Sequence, residues 1–340
     1  MAREMENLEY ARVCGELQGM IGAHIENIYQ LDEENFRFKI GSREIACTVG
    51  VRLHETKYVP KETGRITNFV EFLRSRIRGG RVLGIAQMNN DRIVRMGIGV
   101  GELEYFLVFE MFGGGNIILL DGNNVILRAL VQRKWKEREI FPKREYALPP
   151  APVLSLSPSL SEMKDIHEKK YAIAVFSRIP LGLNYMREAL RRAGVGEREN
   201  YSEVGEGKVK KVLLEVERIR GENVPSLYSD ENGKIVQFAC AKLACPAGVK
   251  VMEAKTLCEA ADEYYFGNVE SVDEKGAKRE GEIEKVKERI GLQEEQALHL
   301  EKEYKMNMEC AKGIYDNFEA VEEEIKKARK RGERKAEVEV

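Results

Sequence analysis

The spacing of hydrophobic and polar positions predicts a β-rich first half of the chain behind a helical start. Apolar residues from Leu8 to Met20 recur at helical intervals, which predicts an amphipathic helix. Residues 35–41 and 44–50 are β-rich runs on either side of Gly-Ser-Arg, which predicts a hairpin. Thr67 is a suitable N-cap for a further helix that stops at Gly79.

Residues 81–131 continue as short apolar runs separated by glycine-rich turns, which predicts a β-meander. The Gly-x-Gly-x-Gly run at 97–101 is followed by a strand pattern, which predicts a turn rather than a dinucleotide-binding loop. Four prolines between Tyr146 and Pro158 then indicate a linker and a domain boundary.

The segment after this linker predicts two helices, at 161–179 and 183–195, joined by Pro180-Leu181-Gly182-Leu183. A helix-hairpin-helix places backbone N–H groups at such a turn against a phosphate without reading bases. Asn184 stands where the motif has a second glycine, so the match is partial and a plain helical hairpin remains an alternative. Residues 224–243 predict a β-hairpin around Asn232-Gly233.

A heptad repeat begins at Ile283 and continues for seven repeats with charged flanks, which predicts a coiled-coil arm. At 1.5 Å per residue the arm is roughly 65–70 Å long. Its narrow apolar stripe needs a partner helix, and none follows in this sequence. We therefore expect either a missing second arm or self-association through the exposed stripe.

These patterns predict an α+β protein with four parts. The expected divisions are a β-rich domain at 1–150, a helix-hairpin-helix domain at 159–222, a β-hairpin and connector at 223–270, and the first arm of a coiled coil at 271–337. The β-rich domain is expected to be a mixed β-sandwich with flanking helices, and the coiled coil to be half of a long antiparallel pair.

Composition narrows the function classes. A chain of 340 residues with 43% hydrophobic and 33% charged residues has the material for a folded core. No apolar run reaches about 18 residues and the N-terminus is charged, so we expect a cytoplasmic protein without a membrane segment. Six scattered cysteines and four histidines form no recognisable cluster, so we expect no metal, no cofactor and no catalytic residues. The Cys240–Cys245 spacing is a weak metal signal beside the simpler interpretation of reduced thiols.

Charge is unevenly distributed although the net charge is only -2. Residues 37–95 contain thirteen Lys or Arg and five acids, a local balance of +8, which indicates a polyanionic partner. The alternative is that charges elsewhere in the fold offset this excess. Candidate contacts in this basic region are Arg74, Arg76, Arg78, Arg81 and Arg95.

A second basic segment, at 132–145, interleaves six basic residues with aromatic ones. Phosphate contact together with base stacking requires this combination, so Lys134, Trp135 and Lys136 are candidate RNA contacts. Equally, Trp135 can serve only to anchor the segment to the sheet.

Asp91 and Arg92 raise a separate question, because adjacent residues entering a strand point to opposite faces and cannot form a lateral ion pair. One interpretation is structural: Asp91 caps the turn after Asn89-Asn90, and Arg92 pairs with an acid at the edge of the core. The other interpretation is that both side chains contact a binding partner.

The order of several segments resembles the N-terminal domain of the NFACT proteins, which include bacterial and archaeal RqcH and eukaryotic NEMF. The segments are the first helix, Ile28-Tyr29-Gln30, residues 52–56 (RLHET), residues 69–82 (FVEFLRSRIRGGRV), Gln87–Met96 and Asn116–Leu119. Weaker similarity continues through Leu181–Val195 and residues 262–265 into the coiled coil, so the resemblance covers essentially the whole chain.

The resemblance implies a ribosome quality control factor. Such proteins bind large ribosomal subunits, through rRNA and protein, that still carry a blocked peptidyl-tRNA. They recruit tRNA, alanyl-tRNA in prokaryotes, for tailing of the nascent chain without mRNA. The resemblance also implies an N-terminal fold similar to that of formamidopyrimidine-DNA glycosylases. It assigns tRNA recruitment to Asp91 and Arg92, with Arg92 donating to a phosphate or base edge.

Three rival functions remain to be separated, and one of them, a purely structural coiled-coil protein, is disfavoured by the +8 balance of residues 37–95. A DNA glycosylase or lyase needs an N-terminal proline nucleophile, whereas this sequence begins Met1-Ala2-Arg3 and has no four-cysteine zinc finger. A fibronectin-binding adhesin needs export, for which the sequence shows no signal. We therefore expect a binding factor and no enzyme, with peptidyl transfer left to the ribosome. The family's second coiled-coil arm and C-terminal RNA-binding domain are absent, so we expect a fragment, and whether it supports tailing alone stays open.

Overall fold

Two antiparallel β-sheets dominate the first part of the computed structural model. It describes residues 3–59, 64, 66–135, 138–150, 152–164, 166, 170–267 and 273–332, without the side chains of 164, 273–292, 294 and 295. The first sheet has the order β1-β2-β3-β4 and consists of β1 (Ile25–Gln30), β2 (Asn35–Ile40), β3 (Arg43–Thr48) and β4 (Arg52–Thr56). The second has the order β5-β6-β7-β8-β9 and consists of β5 (Arg81–Gln87), β6 (Ile93–Val100), β7 (Leu103–Glu110), β8 (Asn116–Asp121) and β9 (Ile126–Ala129).

The two sheets share one hydrophobic core. Phe38 of β2 and Phe109 of β7 meet edge to face across it, with ring centroids 5.3 Å apart. Helix α1 (Asn7–Glu16), which continues as a 3₁₀ turn (Leu17–Met20), and helix α2 (Asn68–Ile77) add their apolar faces to the same core. Thr67 caps α2 as the sequence predicts, because its hydroxyl oxygen accepts the Val70 N–H at 3.3 Å. The predicted α+β class is confirmed, and the structure shows that both large sheets are antiparallel.

The described part of 160–267 forms helices and a three-stranded sheet, and a separate two-stranded sheet lies earlier in the chain, within residues 133–140. The helices are α3 (Leu160–Lys164), α4 (Ala172–Phe176), α5 (Leu183–Ala193), a 3₁₀ turn (Tyr201–Glu203), α6 (Glu206–Gly221) and α7 (Leu257–Phe266). The strands are β10 (Arg133–Lys134) paired with β11 (Glu139–Ile140), and β12 (Ser226–Ser229) between β13 (Ile235–Ala239) and β14 (Lys250–Glu253). The β12–β13 hairpin is the one predicted around Asn232-Gly233.

The helix predicted at 161–179 is wrong as a continuous element. Ile166 and Lys170 are non-helical, and the described residues of this stretch form two five-residue helices, α3 and α4. The backbone near Lys170 bonds instead to a distant segment: Ala172 N–H donates to Glu199 O at 2.8 Å, and Tyr201 N–H donates to Lys170 O at 2.9 Å. These long-range bonds take the place of the local bonds that a helix needs.

Helix α7 is held against β4 by a buried pair. His54 Nε2 lies 3.0 Å from Asp262 Oδ1, and the Lys57 N–H donates to Asp262 Oδ2 at 2.7 Å. Burial lowers the pKa of His54, so its imidazole is neutral at pH 7. At the start of α7, the Glu16 carboxylate accepts the Leu257 and Cys258 N–H groups at 2.6 and 2.8 Å. Helix α1 thereby fixes the position of helix α7.

The chain divides into two units by its internal contacts, Met1–Val269 and Glu270–Val340. In the second unit, α8 (Asp273–Asp316) is followed by α9 (Phe318–Lys330), and the helix is interrupted at Asn317. The sequence predicted one uninterrupted arm there. The finer division of the first unit into three domains, and the pairing of the arm in a coiled coil, stay predictions. Among the described residues, no helix is both long and apolar enough to cross a bilayer.

Candidate nucleic-acid interface

Asp91 and Arg92 lie in a tight loop between β5 and β6. Asn89 and Asn90 take left-handed conformations, with φ of 52° and 51°, which asparagine tolerates better than most residues. The loop is closed by backbone bonds, because Asp91 N–H donates to Met88 O at 2.9 Å. The sequence thus builds a defined turn that presents Asp91 and Arg92 at the sheet's end.

The start of α1 supports this loop. The Gln87 side-chain amide donates to Asn7 O at 2.8 Å and to Asp91 O at 2.9 Å. In return, Asn7 Nδ2 donates to Asn90 O at 2.8 Å. Gln87 and Asn7 therefore fix the position of the loop against the first helix.

The Asp91 and Arg92 side chains do not pair with each other. Asp91 Oδ1 accepts the backbone N–H of Arg92 at 2.7 Å, and Arg92 Nη1 lies 2.5 Å from Glu4 Oε2. The Asp91 contact is the turn cap of the structural interpretation, whereas the acid that pairs with Arg92 is an exposed one, 88 residues away in the sequence. Both residues nevertheless remain partly exposed, and the side chains of Arg92 and Glu4 keep 28% and 57% of their accessible surface.

Arg92 lines a cleft of about 490 Å³ between the start of α1 and the turn that leads into α5. The walls are formed by residues 4–7 on one side and by Ser177–Pro180, Gly182 and Leu183 on the other, with Pro152 at the margin. A buried network fixes the two walls, because Glu9 pairs with Arg3 at 2.5 Å and accepts the Tyr185 hydroxyl at 2.7 Å. The cleft is therefore part of the packed structure.

Gly182 and Asn184 form the turn that the sequence assigned to phosphate binding, and here the turn binds a carboxylate of the chain. The Asn184 N–H donates to both Glu6 oxygens at 3.2 Å, and Asn184 Nδ2 donates to Glu6 Oε1 at 3.0 Å. Gly182 has a φ of 116°, and a Cβ there would lie 2.5 Å from Glu6 Oε2, so only glycine admits this approach. Burial, together with the Glu9 carboxylate, raises the pKa of Glu6 to about 7.

Three of the candidate arginines gather beside β1, the edge strand of the first sheet. Arg74 donates from Nε and Nη2 to Ile28 O at 2.8 and 2.6 Å, and Arg78 Nε donates to Glu26 O at 3.0 Å. Arg81 Nε donates to Gly22 O at 3.0 Å. Neutral backbone carbonyls thus receive these guanidinium groups, and among the described residues no carboxylate compensates their positive charge.

The remaining two arginines contact aromatic rings. Arg76 is exposed, with its Cζ 5.6 Å from the Phe72 ring, and Arg95 lies 3.5 Å over Phe106 and donates to Asn124 Oδ1 at 2.8 Å. In the described part of the chain, none of these five arginines has a carboxylate oxygen within 4 Å; the five are Arg74, Arg76, Arg78, Arg81 and Arg95.

The arginines beside β1 and Arg92 lie at opposite ends of the β5–β6 hairpin. Arg81 is paired with Gly99 and Gln87 with Val94, so the hairpin's length separates the two groups by roughly 20 Å at 3.3 Å per residue. The basic region at 37–95 therefore presents its arginines at two separate places along one hairpin. Only an extended polyanion can contact both.

The second basic segment is partly compensated. Lys134 Nζ pairs with Glu139 at 2.6 Å, while Trp135 keeps 43% of its surface and has Arg138 Cζ 5.6 Å from its ring. Arg138 itself pairs with the buried Glu110. The structure thus supports an anchoring contact for this segment and also leaves an exposed indole face. Lys136 lies outside the described residues.

The sequence did not identify three residues that complete the site. Glu4, Glu6 and Gln87 act over separations of 88, 178 and 80 residues, on Arg92, Asn184 and Asn7 respectively. A glutamate three residues before Glu9 at the start of a helix was the one available signal, since this spacing is typical of a capping position. It gives no indication of a partner on α5.

Comparison with known proteins gives a consistent picture. The family described as NFACT N-terminal and middle domains matches residues 7–340. The "Archaeal Rqc2 homolog aRqcH" of Methanocaldococcus jannaschii is 26% identical over 95% of this chain and 51% of its own length. The "Ribosome quality control complex subunit NEMF" of Mus musculus is 25% identical over 69% of this chain and 23% of its own length. This chain therefore spans about half, or less, of these curated relatives.

Among solved structures, the N-terminal part of the fibronectin/fibrinogen-binding protein from Streptococcus suis superposes with a TM-score of 0.60 at 19% identity. The match covers 77% of this chain and 99% of that one. At this identity the similarity shows a shared fold and no shared ligand.

Proposed function

This chain belongs to the NFACT family, and from that premise we propose that it acts in ribosome quality control as a binding factor for tRNA and for the large ribosomal subunit. The relatives named as ribosome quality control subunits support the role in that process. In this proposal the bound subunit is one that is obstructed by peptidyl-tRNA. The ribosome performs peptidyl transfer, and the recruited tRNA, alanyl-tRNA in the archaeal and bacterial case, supplies the added residues.

One observation carries the proposal: Arg92 is held on a rigid loop, partly exposed, with uncompensated arginines at the other end of the same hairpin. A guanidinium group can donate to two oxygens of a phosphate or to a base edge, as arginine does in RNA recognition. Uncompensated positive charge adds affinity for the backbone of any nucleic acid. The distance between the two groups favours an extended RNA over a mononucleotide.

Asp91 has a distinct part in this proposal. Its Oδ1 accepts the Arg92 N–H and so holds the loop, while the carboxylate stays partly exposed. The second oxygen can accept a hydrogen bond from a base or from a ribose hydroxyl. The pair then acts as two contacts to RNA and not as an acid–base couple.

The test replaces both residues, Asp91→Ala with Arg92→Ala. We expect bound tRNA to fall to background, while the free energy of unfolding changes by less than about 1 kcal/mol because both side chains are partly exposed. Sequencing of RNA crosslinked to the chain in cells, together with thermal unfolding, gives both readings. Enrichment of one tRNA together with large-subunit rRNA is the expected result for the unchanged chain.

A matched control is Glu217→Ala with Arg220→Ala. It also removes one acid and one arginine, which form an exposed pair at 3.1 Å on α6. This control should keep its tRNA. Retention of tRNA by the Asp91/Arg92 variant, or its marked destabilisation, would contradict the proposal.

We also propose that the second unit is one arm of a coiled coil. Four side chains of the predicted heptad are exposed on α8 and α9, since Leu300, Tyr304, Ile314 and Phe318 keep 64%, 65%, 47% and 60% of their surface, whereas Val321 and Ala328 are buried. Sedimentation analysis of the chain tests whether a second copy covers them. A concentration-dependent dimer supports self-association, and a monomer at all concentrations favours an arm that this chain does not contain.

A further inference from the structure

The cleft at Arg92 contains two acids of the chain, and each is bound to a donor group that the sequence or the proposed function assigns to phosphate. Glu4 binds the Arg92 guanidinium at 2.5 Å, and Glu6 binds the N-terminus of α5 through Asn184 at 3.0–3.2 Å. The two glutamates are separated by a single residue, Met5, and both line the same cleft. The side chains of Glu4 and Glu6 thus occupy the positions that phosphate oxygens would take at the two donor groups.

The two acids differ in how firmly they are held. Glu6 is half-buried and accepts three hydrogen bonds from Asn184, so it is part of the packing between α1 and α5. Glu4 has 57% of its side chain exposed, and among the described residues it forms an ion pair with Arg92 alone. Its backbone stays fixed next to Met5, whose N–H donates to Val51 O at 2.8 Å. Only the Glu4 side chain is therefore free to leave without disturbing the fold.

We propose that Glu4 is an internal competitor for Arg92, which holds the guanidinium in the RNA-free protein and is displaced by a phosphate of the bound RNA. This inference rests on the proposed function, because it concerns the regulation of that same site. An exposed ion pair contributes little stability, so the exchange costs little. A single phosphate gains little binding free energy when it replaces Glu4 at Arg92. An RNA that also reaches the arginines beside β1 gains the binding free energy of those contacts as well. Glu4 in this way favours long RNA over free nucleotides.

The test measures affinity for purified bulk tRNA by fluorescence anisotropy, with the full chain and its Glu4→Gln variant. Loss of the competing charge should lower Kd by about two- to five-fold, the range that an exposed pair allows. The control Glu33→Gln removes the same charge from an exposed position that has no ion pair among the described residues, and its Kd should not change. A Glu4→Gln variant with unchanged or higher Kd, or one that Glu33→Gln equals, overturns the inference.

A double-variant cycle shows whether Glu4 acts through Arg92. In the Arg92→Ala background, adding Glu4→Gln should no longer lower Kd, because the guanidinium group for which Glu4 competes is absent. If Glu4→Gln still lowers Kd equally, the effect is one of net charge and the inference fails. Failure of the proposed function looks different: Arg92→Ala alone would then bind tRNA as tightly as the unchanged chain. If Arg92→Ala weakens binding but Glu4→Gln does not strengthen it, only the present inference is lost.

Discussion

The carboxyl group of Glu6 shows how much one side chain's surroundings can change its chemistry. It is half-buried, it lies near the Glu9 carboxylate, and it accepts three hydrogen bonds from Asn184. Burial and the neighbouring negative charge outweigh the hydrogen bonds, so the pKa of Glu6 rises from 4.5 to about 7. The protonation of this residue is therefore linked to stability in the physiological range.

The sign of the linkage follows from the raised pKa. In the unfolded chain Glu6 ionises near pH 4.5, and in the folded chain it ionises near pH 7, so the folded state holds more protons between these values. Its contribution to stability is therefore complete below about pH 4.5 and is lost as the pH rises through about 7. We expect the free energy of unfolding to fall by about 2 kcal/mol over this window relative to Glu6→Gln, which keeps an acceptor and does not titrate.

Urea unfolding of both proteins at pH 5, 6, 7 and 8 measures this difference. A gap between the two stability curves that changes with pH in the expected direction supports the assignment. Parallel curves would show that Glu6 ionises normally and that its surroundings are more open than the structure indicates.

Helix α2 is the element on which the proposed electrostatic attraction depends. It carries Arg74 and Arg76, Arg78 follows directly after its last residue, and Arg76 is exposed without a carboxylate within 4 Å among the described residues. We expect Arg76→Gln to reduce the slope of log Kd against log salt by roughly 0.7–0.9, the value for one phosphate contact. Titrations of tRNA at 50, 100 and 200 mM salt measure the slope.

Arg218→Gln on α6 is the control for this element. Arg218 is 69% exposed and pairs with Glu215 at 2.5 Å, so the substitution removes the same charge where an acid already compensates it. Its salt slope should match that of the unchanged chain. Equal reductions in both variants would mean that net charge, and not α2, determines tRNA affinity.

At the scale of elements, the sequence predicts features that depend on neighbouring residues and fails to predict features that depend on residues distant in the chain. The β2–β3 hairpin and the Thr67 cap are confirmed, because alternation, a short turn and an N-cap act within a few residues. The helix at 161–179 is wrong because Lys170 and Ala172 bond to residues 199–201, which no local pattern reveals. At the site, the loop of Asp91 and Arg92 could be located from sequence. Its partners Glu4 and Asn7, more than 80 residues away, could not.

On the scale of the whole molecule, the first unit contains all the described residues to which the proposal assigns RNA contact. Its core runs from Met5 to Ala261 and joins both large sheets to the helices after residue 160. The second unit has its own contacts and is described separately. Folding and tRNA affinity should therefore belong to the first unit.

A chain that ends at residue 269 tests this division. We expect one cooperative unfolding transition, and a Kd for tRNA within about two-fold of the full chain, because no assigned contact is removed. Calorimetry and anisotropy measure the two properties. Loss of cooperativity, or a Kd that rises ten-fold or more, would show that the second unit takes part in folding or in RNA binding.

The arginines beside β1 have a consequence for how this protein stays dispersed. β1 is an outer strand, and a bare outer strand is a template on which a neighbouring molecule can add its own strand. Arg74 and Arg78 occupy the Ile28 and Glu26 carbonyls that such a neighbour would use. The arginines that attract a polyanion thus also protect this edge strand from pairing with another copy of the chain. A variant without Arg74 and Arg78 should therefore aggregate, which would obstruct any measurement of its RNA affinity.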